Sequence, residues 1–290
     1  MIGTRDMLTV AVALALLTVG LGPGGPRPDV GIGADRLVAD RATVAGDRLG
    51  ALLDDLTVAI DTSRSGAAAI VAGDRSPGEL LSDAAGLVAD ASERAIDTDG
   101  SVRDLEAARR ARDPSAEPLP GRPLAGDLAS ISAQLEATVE AADLFADMRR
   151  RAVNVPEALG AALAALRERD LDAAEGHLAT AADDQSAVAG WEVDFAALPV
   201  WVASTDATLD AVRRLLEAVR DGDTSAAERA AADFAALGDE ASRADRALQI
   251  TISEGGGSVA TAPLIRLSDA RDRVAEQHRF VAALLAGQDR

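Results

Sequence analysis

Few side chains in this sequence are equipped for chemistry. The only imidazoles are His177, in "AAEGHL", and His278, in "VAEQHR", and each follows a glutamate by two residues. That spacing turns two side chains about 200° apart on a helix, so neither pair can chelate one ion. Di-iron bundles instead use Glu-x-x-His. Asp272 and Glu276 form a carboxylate pair at helical spacing beside His278. An ion shared by His177, Glu276 and His278 is therefore the metal arrangement on offer. The competing reading puts His278 on an apolar stripe with Val274, Val281 and Leu285, hydrogen-bonded across a helical bundle. The second reading is the expectation, with no metal and no other cofactor.

Other routes to catalysis are closed by composition. There is no cysteine and all 29 basic residues are arginine. Thiol nucleophiles, thiolate metal sites, disulfides and Schiff bases are excluded. No Gly-x-Ser-x-Gly occurs, and Glu254–Ser258 ("EGGGS") lacks the Gly-Lys-Ser/Thr of a phosphate-binding loop. The chain is expected not to be an enzyme.

Binding is the remaining kind of chemistry. Both tryptophans fall in "WEVDFAALPVWVAS", where Trp191, Phe195, Leu198 and Val202 are spaced as on one helical face. In an alanine-rich bundle such residues fill space between helices. Alternatively, Trp191, Phe195 and Trp201 line a groove for a ligand or partner. The spacing predicts Trp191 buried and Trp201 partly exposed beside Pro199, which restarts or kinks the helix.

The net charge of −19 argues against nucleic acid as a partner and against docking on anionic lipid, because both need a basic patch. The chain is 48% apolar but only 2% aromatic, with alanine the chief apolar residue. That composition suits closely packed helices better than sheets.

Residues 1–22 read as a signal peptide or membrane anchor. The dense apolar part, Met7 to Gly22, would make a helix of about 24 Å, short of a hydrocarbon core of about 30 Å. A short start, an apolar middle and a helix break at Pro23 resemble a secretory signal. The start is barely positive and no Ala-x-Ala cleavage site follows, so an uncleaved single-pass anchor through residues 7–22 stays open. No cysteine follows for lipidation. The body is expected outside the cytoplasm, anchored or secreted.

Residues 23–33 read as a flexible tether. A long helix is predicted from about Ala34 to Asp74, with Leu49, Leu52, Leu56 and Ala59 inward and Gly73 as its stop. A second helix starts at Ser76-Pro77 with Glu79 completing a capping box, and runs to about Ile96. A short third starts at Ser101. These make a helical hairpin subdomain, 34–112. Residues 113–123, "DPSAEPLPGRP", are a proline-rich connection. A helical bundle subdomain, 124–290, follows. Its first helix carries Leu128, Ile131, Leu135, Ala142 and Phe145 and ends near Arg149–Arg151, whose charges complement the helix dipole.

"ALRERDLDAAE" at Ala165 and "AVRDGDTSAAE" at Ala218 echo each other. Each reads as a helix end, a tight turn and a new start, giving two similar hairpins. Residues 248–253 have strand character, and the glycines after them read as a mobile connection. Ser268 is expected to cap a last helix. The fold class is thus all-α, antiparallel bundles of long helices after a hydrophobic N-terminal helix. The expected function is an extracytoplasmic, non-catalytic interaction, scaffold or sensory module with a protein partner. A small-ligand binder using the tryptophan cleft and a metal-dependent enzyme with a carboxylate/His site are the alternatives.

Overall fold

A computed structural model describes residues 30–74 and 76–288. The apolar segment 7–22 and most of the tether lie outside the described residues. Among those described the protein is all-α, with no strand. Six helices follow in order: α1 (Val30–Ala72), α2 (Pro77–Arg112), α3 (Ala125–Glu168), α4 (Leu171–Ala189), α5 (Ala197–Asp221) and α6 (Thr224–Gln288). None is long and apolar enough to cross a membrane.

The helices form two four-helix bundles placed end to end, and α3 and α6 belong to both. In the first, α1, α2, the first half of α3 and the last part of α6 enclose Leu49, Leu56, Leu81, Val88, Leu135 and Val274. In the second, the rest of α3, α4, α5 and the first half of α6 enclose Leu159, Leu178, Trp201, Leu209 and Leu248. At 1.5 Å per residue the 44 residues of α3 span about 66 Å, enough to wall both cores. The first core draws on both sides of the proline-rich connection, so the α1–α2 hairpin does not bury its apolar face alone.

Several predicted breaks are absent. α2 runs through Asp97–Ser101, so Ser101 is not a cap. Its hydroxyl donates to the Asp97 carbonyl at 3.0 Å and accepts from the Arg48 guanidinium at 2.7 Å. Burial of Thr98 and Ser101 against α1 outweighs the poor local propensity of Asp-Thr-Asp-Gly. α3 continues beyond Arg149–Arg151 and through Pro156 to Glu168. The arginines are therefore mid-helix, and side-chain partners replace the expected helix dipole. Arg149 donates to the Gln249 carbonyl, Arg150 pairs with Asp147, and Arg151 bridges Asp147 and Asp184. α6 absorbs both the predicted strand at 248–253 and the predicted loop after it; Ser268 lies inside it. Residues 30–33, expected in the tether, already belong to α1.

Helix starts are satisfied in ways that sequence spacing alone does not show. Ser76 makes no side-chain cap although Pro77 is the first helical residue. Instead Gly78 N–H donates to Asp143 Oδ1 on α3 at 2.9 Å. In return Asp99 on α2 accepts from Leu124 N–H at 2.9 Å and Ala125 N–H at 3.3 Å at the start of α3. Each helix of this pair caps the other. The two echoed turns match as expected. Arg169 and Gly222 take left-handed conformations, with φ of 63° and 71°. Asp170 and Asp223 then accept from Ala173 N–H and Ala226 N–H.

The bundles meet where Gly255 and Gly256 of α6 pass Phe145 of α3 and Ile70 of α1. A Cβ on Gly255 would lie 2.8 Å from Phe145 Cε1, and one on Gly256 would lie 2.5 Å from Ile70 Cγ2. Gly257 faces open space. The triplet therefore splits by role. Gly256→Ala is expected to destabilise by about 1–3 kcal/mol through overpacking. Gly257→Ala is expected to stabilise by up to about 1 kcal/mol through helix propensity. Thermal denaturation of both variants checks the opposite signs.

Candidate functional site

The segment that holds the tryptophans is not one helix. Trp191 to Phe195 form a connection in which Val193 N–H donates to the Trp191 carbonyl at 2.9 Å and Phe195 N–H to the Val193 carbonyl at 3.1 Å. Such i to i+2 bonds are tight γ-turns. α5 begins at Ala197, with Pro199 in its first turn, where a missing N–H costs nothing. Leaving the helix reverses the predicted burial: Trp201 is 2% exposed and Trp191 is half-buried.

The three residues predicted to form one groove are distributed. Phe195 packs on Phe145 at a ring-centroid distance of 6.1 Å and plugs the junction beside Gly255. Trp191 rests on the edge of the second core. Trp201 lines a cleft of about 370 Å³ bounded by α3, α5 and α6. Its apolar wall comes from Leu159 and Leu163 of α3, Trp201 of α5 and Phe234 of α6. A larger depression at the far end of the first bundle is spanned by the Arg112–Asp35 ion pair. Its lining is mostly charged or alanine, so it offers little apolar grip.

Two features of the Trp201 cleft bear on its use. Gly160 of α3 and Gly238 of α6 both line it, and a Cβ on either would meet nothing within 4 Å. Each is a helix-interior glycine, which costs about 1 kcal/mol relative to alanine. The second feature is Asp245, at the base of the polar side. Its Oδ2 accepts from Gln249 Nε2 at 2.7 Å. Its Oδ1 is shut off from solvent and receives no hydrogen bond. Burial pushes the Asp245 carboxyl above the ordinary carboxylate value, against opposing pulls from Gln249, the Trp201 side chain, Arg149 and Arg246. Neither arginine forms an ion pair with it among the described residues.

The histidine arrangement does not form. His177 is exposed on α4 in the second bundle, whereas His278 lies on α6 in the first. His278 is half-buried over Gly50 of α1, where a Cβ would sit 3.6 Å from Nε2. Among the described residues no cluster of three His, Asp or Glu side chains is placed to hold a metal ion. The spacing rules missed Asp245, because an aspartate in "SRADRAL" has the same local signature as any solvated helix charge.

No protein-family profile, curated protein or solved structure matches the chain.

The sign of the Asp245 effect on stability follows from its raised folded-state pKa. The folded state holds this proton more tightly than the unfolded state. Its stabilising contribution is thus complete at acidic pH and is lost as pH rises through the folded value. Asp245→Asn, which can keep the Gln249 bond, is expected to raise the melting temperature at pH 7. The gain should fade on acidification below about pH 4, the ordinary carboxylate range. Melting curves across that pH series check it.

Proposed function

We propose that the protein is a non-catalytic, extracytoplasmic binding module that holds a small ligand in the cleft between α3, α5 and α6. The observation that carries this reading is the pair of glycines, Gly160 and Gly238, which keep the cleft open at a cost in helix stability. A helix under selection for stability alone would gain from alanine at both positions. An apolar wall with a few converging polar groups is the usual composition of a ligand site. The lack of cysteine and lysine, with only two histidines, favours binding over turnover. Export rests on the apolar segment Met7–Gly22 and the helix break after it.

A second reading, a scaffold with a protein partner, is favoured by α1. Leu37, Val44 and Val58 recur at heptad spacing on its outer face and are 48%, 43% and 53% exposed. The two readings make different demands on the cleft.

Gly160→Leu and Gly238→Leu are expected to fill the cleft without lowering the melting temperature. Purified wild-type and variant proteins are dialysed against a small-molecule extract of the source cells, unfolded, and the released compounds identified by mass spectrometry. Wild-type protein should carry a compound that both variants lack. Identical or empty profiles for all three would reject the cleft and leave the α1 face as the functional surface. A reporter active only after export, fused to the C-terminus, should be active if the proposed location is right; a silent one would reject it.

A further inference from the structure

We propose that the cleft selects an organic cation, a protonated amine carried on an apolar body, with Asp245 as its counter-ion. The inference rests on the cleft being a ligand site and specifies the chemistry of the ligand. Three observations converge on it.

The first is the unsatisfied carboxylate oxygen. Asp245 Oδ1 is buried with no partner at hydrogen-bond geometry, while Oδ2 is held by Gln249 and the Trp201 side chain lies close enough to favour the carboxylate. A carboxylate oxygen left unpaired away from water is costly, and the matching occupant is a donor, best a charged one. The second is the hydrogen-bond polarity of the neighbouring wall. The Thr208 hydroxyl lines the cleft and already donates its proton to the Ser204 carbonyl at 2.8 Å. Its oxygen therefore offers only lone pairs. An ammonium, which carries three donors and no acceptor, finds lone pairs for its protons at both groups.

The third observation is the rest of the wall. Trp201, Phe234, Leu159 and Leu163 present apolar surface over a volume of about 370 Å³, at the small end for ligand sites. The aromatic rings add an electrostatic preference for a cation over an anion. The arginines nearby do not cancel this. Arg149 is engaged with the Gln249 carbonyl at 3.2 Å, and Arg246, which also lines the cleft, is exposed to solvent, where its charge is screened. The net charge of −19 raises the local concentration of cations around the molecule as a whole.

The test uses the full chain and three probes of one length: hexylammonium chloride, 1-hexanol and sodium hexanoate, followed by titration calorimetry at fixed ionic strength. Hexylammonium should bind with a stoichiometry of one, more tightly than hexanol and far more tightly than hexanoate. Asp245→Asn, with a cooperative melt confirming its fold, should weaken hexylammonium by about 10-fold or more, the usual range for a charged hydrogen bond. It should leave hexanol affinity nearly unchanged. Gly160→Leu should abolish binding of both. Equal affinity for hexanol and hexylammonium, or full retention by Asp245→Asn, would overturn the cation preference while leaving the cleft intact as a site. Hexylammonium binding that survives Gly160→Leu would also overturn it, marking attraction to the acidic surface. No binding by any probe would remove the cation assignment and the cleft reading together.

Discussion

Close approach at Gly255 and Gly256 is the constraint on which the architecture rests. α6 must pass Phe145 and Ile70 with no room for a methyl group, and only there can one helix serve as a wall for both cores. Had those positions carried side chains, α6 would be pushed from α1 and α3 at the midpoint of its length. Either the first core would lose its fourth wall or the second would. Phe145 packs against both cores, and Phe195 closes the same seam from the far side. Three consecutive glycines weaken a helix locally by about 1 kcal/mol each. Burial of Leu248, Ile252, Ala260 and Leu267 on either side offsets that loss.

The same economy of side-chain size shapes the cleft. Alanine is the commonest buried residue, so the helices can lie close together. The second bundle departs from this around Gly160, Trp201, Gly238 and Asp245. It combines one of the largest buried side chains in the chain with two of the smallest and a carboxyl whose ionised form is disfavoured by burial.

Much of the fold was legible in sequence because apolar spacing records which face is buried. Leu49, Leu52, Leu56 and Ala59 are all fully buried, as their spacing predicts. Leu128, Ile131, Leu135 and Ala142 are likewise. The echoed turns at Arg169–Asp170 and Gly222–Asp223 were legible because capping is local. Helix continuity was not. At Asp97–Ser101, Ile250–Gly257 and Pro156, intrinsic propensity points to a break while contacts distant in sequence hold the helix. Asp99 and Asp143 as caps for each other's helices were invisible for the same reason. The tryptophan pattern misled because its spacing is helical while Trp191 to Phe195 is not. Asp245 became visible only once α5 and α6 were brought together.

Sharing two helices has a consequence for how the molecule comes apart. Neither bundle has four walls of its own, so loss of order in one strips a face from the other. The two cores are therefore one cooperative unit in spite of their separate interiors. A cut in the proline-rich connection would not liberate a domain: one fragment would keep only α1 and α2, and the other would expose the apolar flanks of α3 and α6 that those helices cover. Disturbance of the cleft can likewise travel along α6, a single rod of about 98 Å by the rise per residue, to the end where α1 begins.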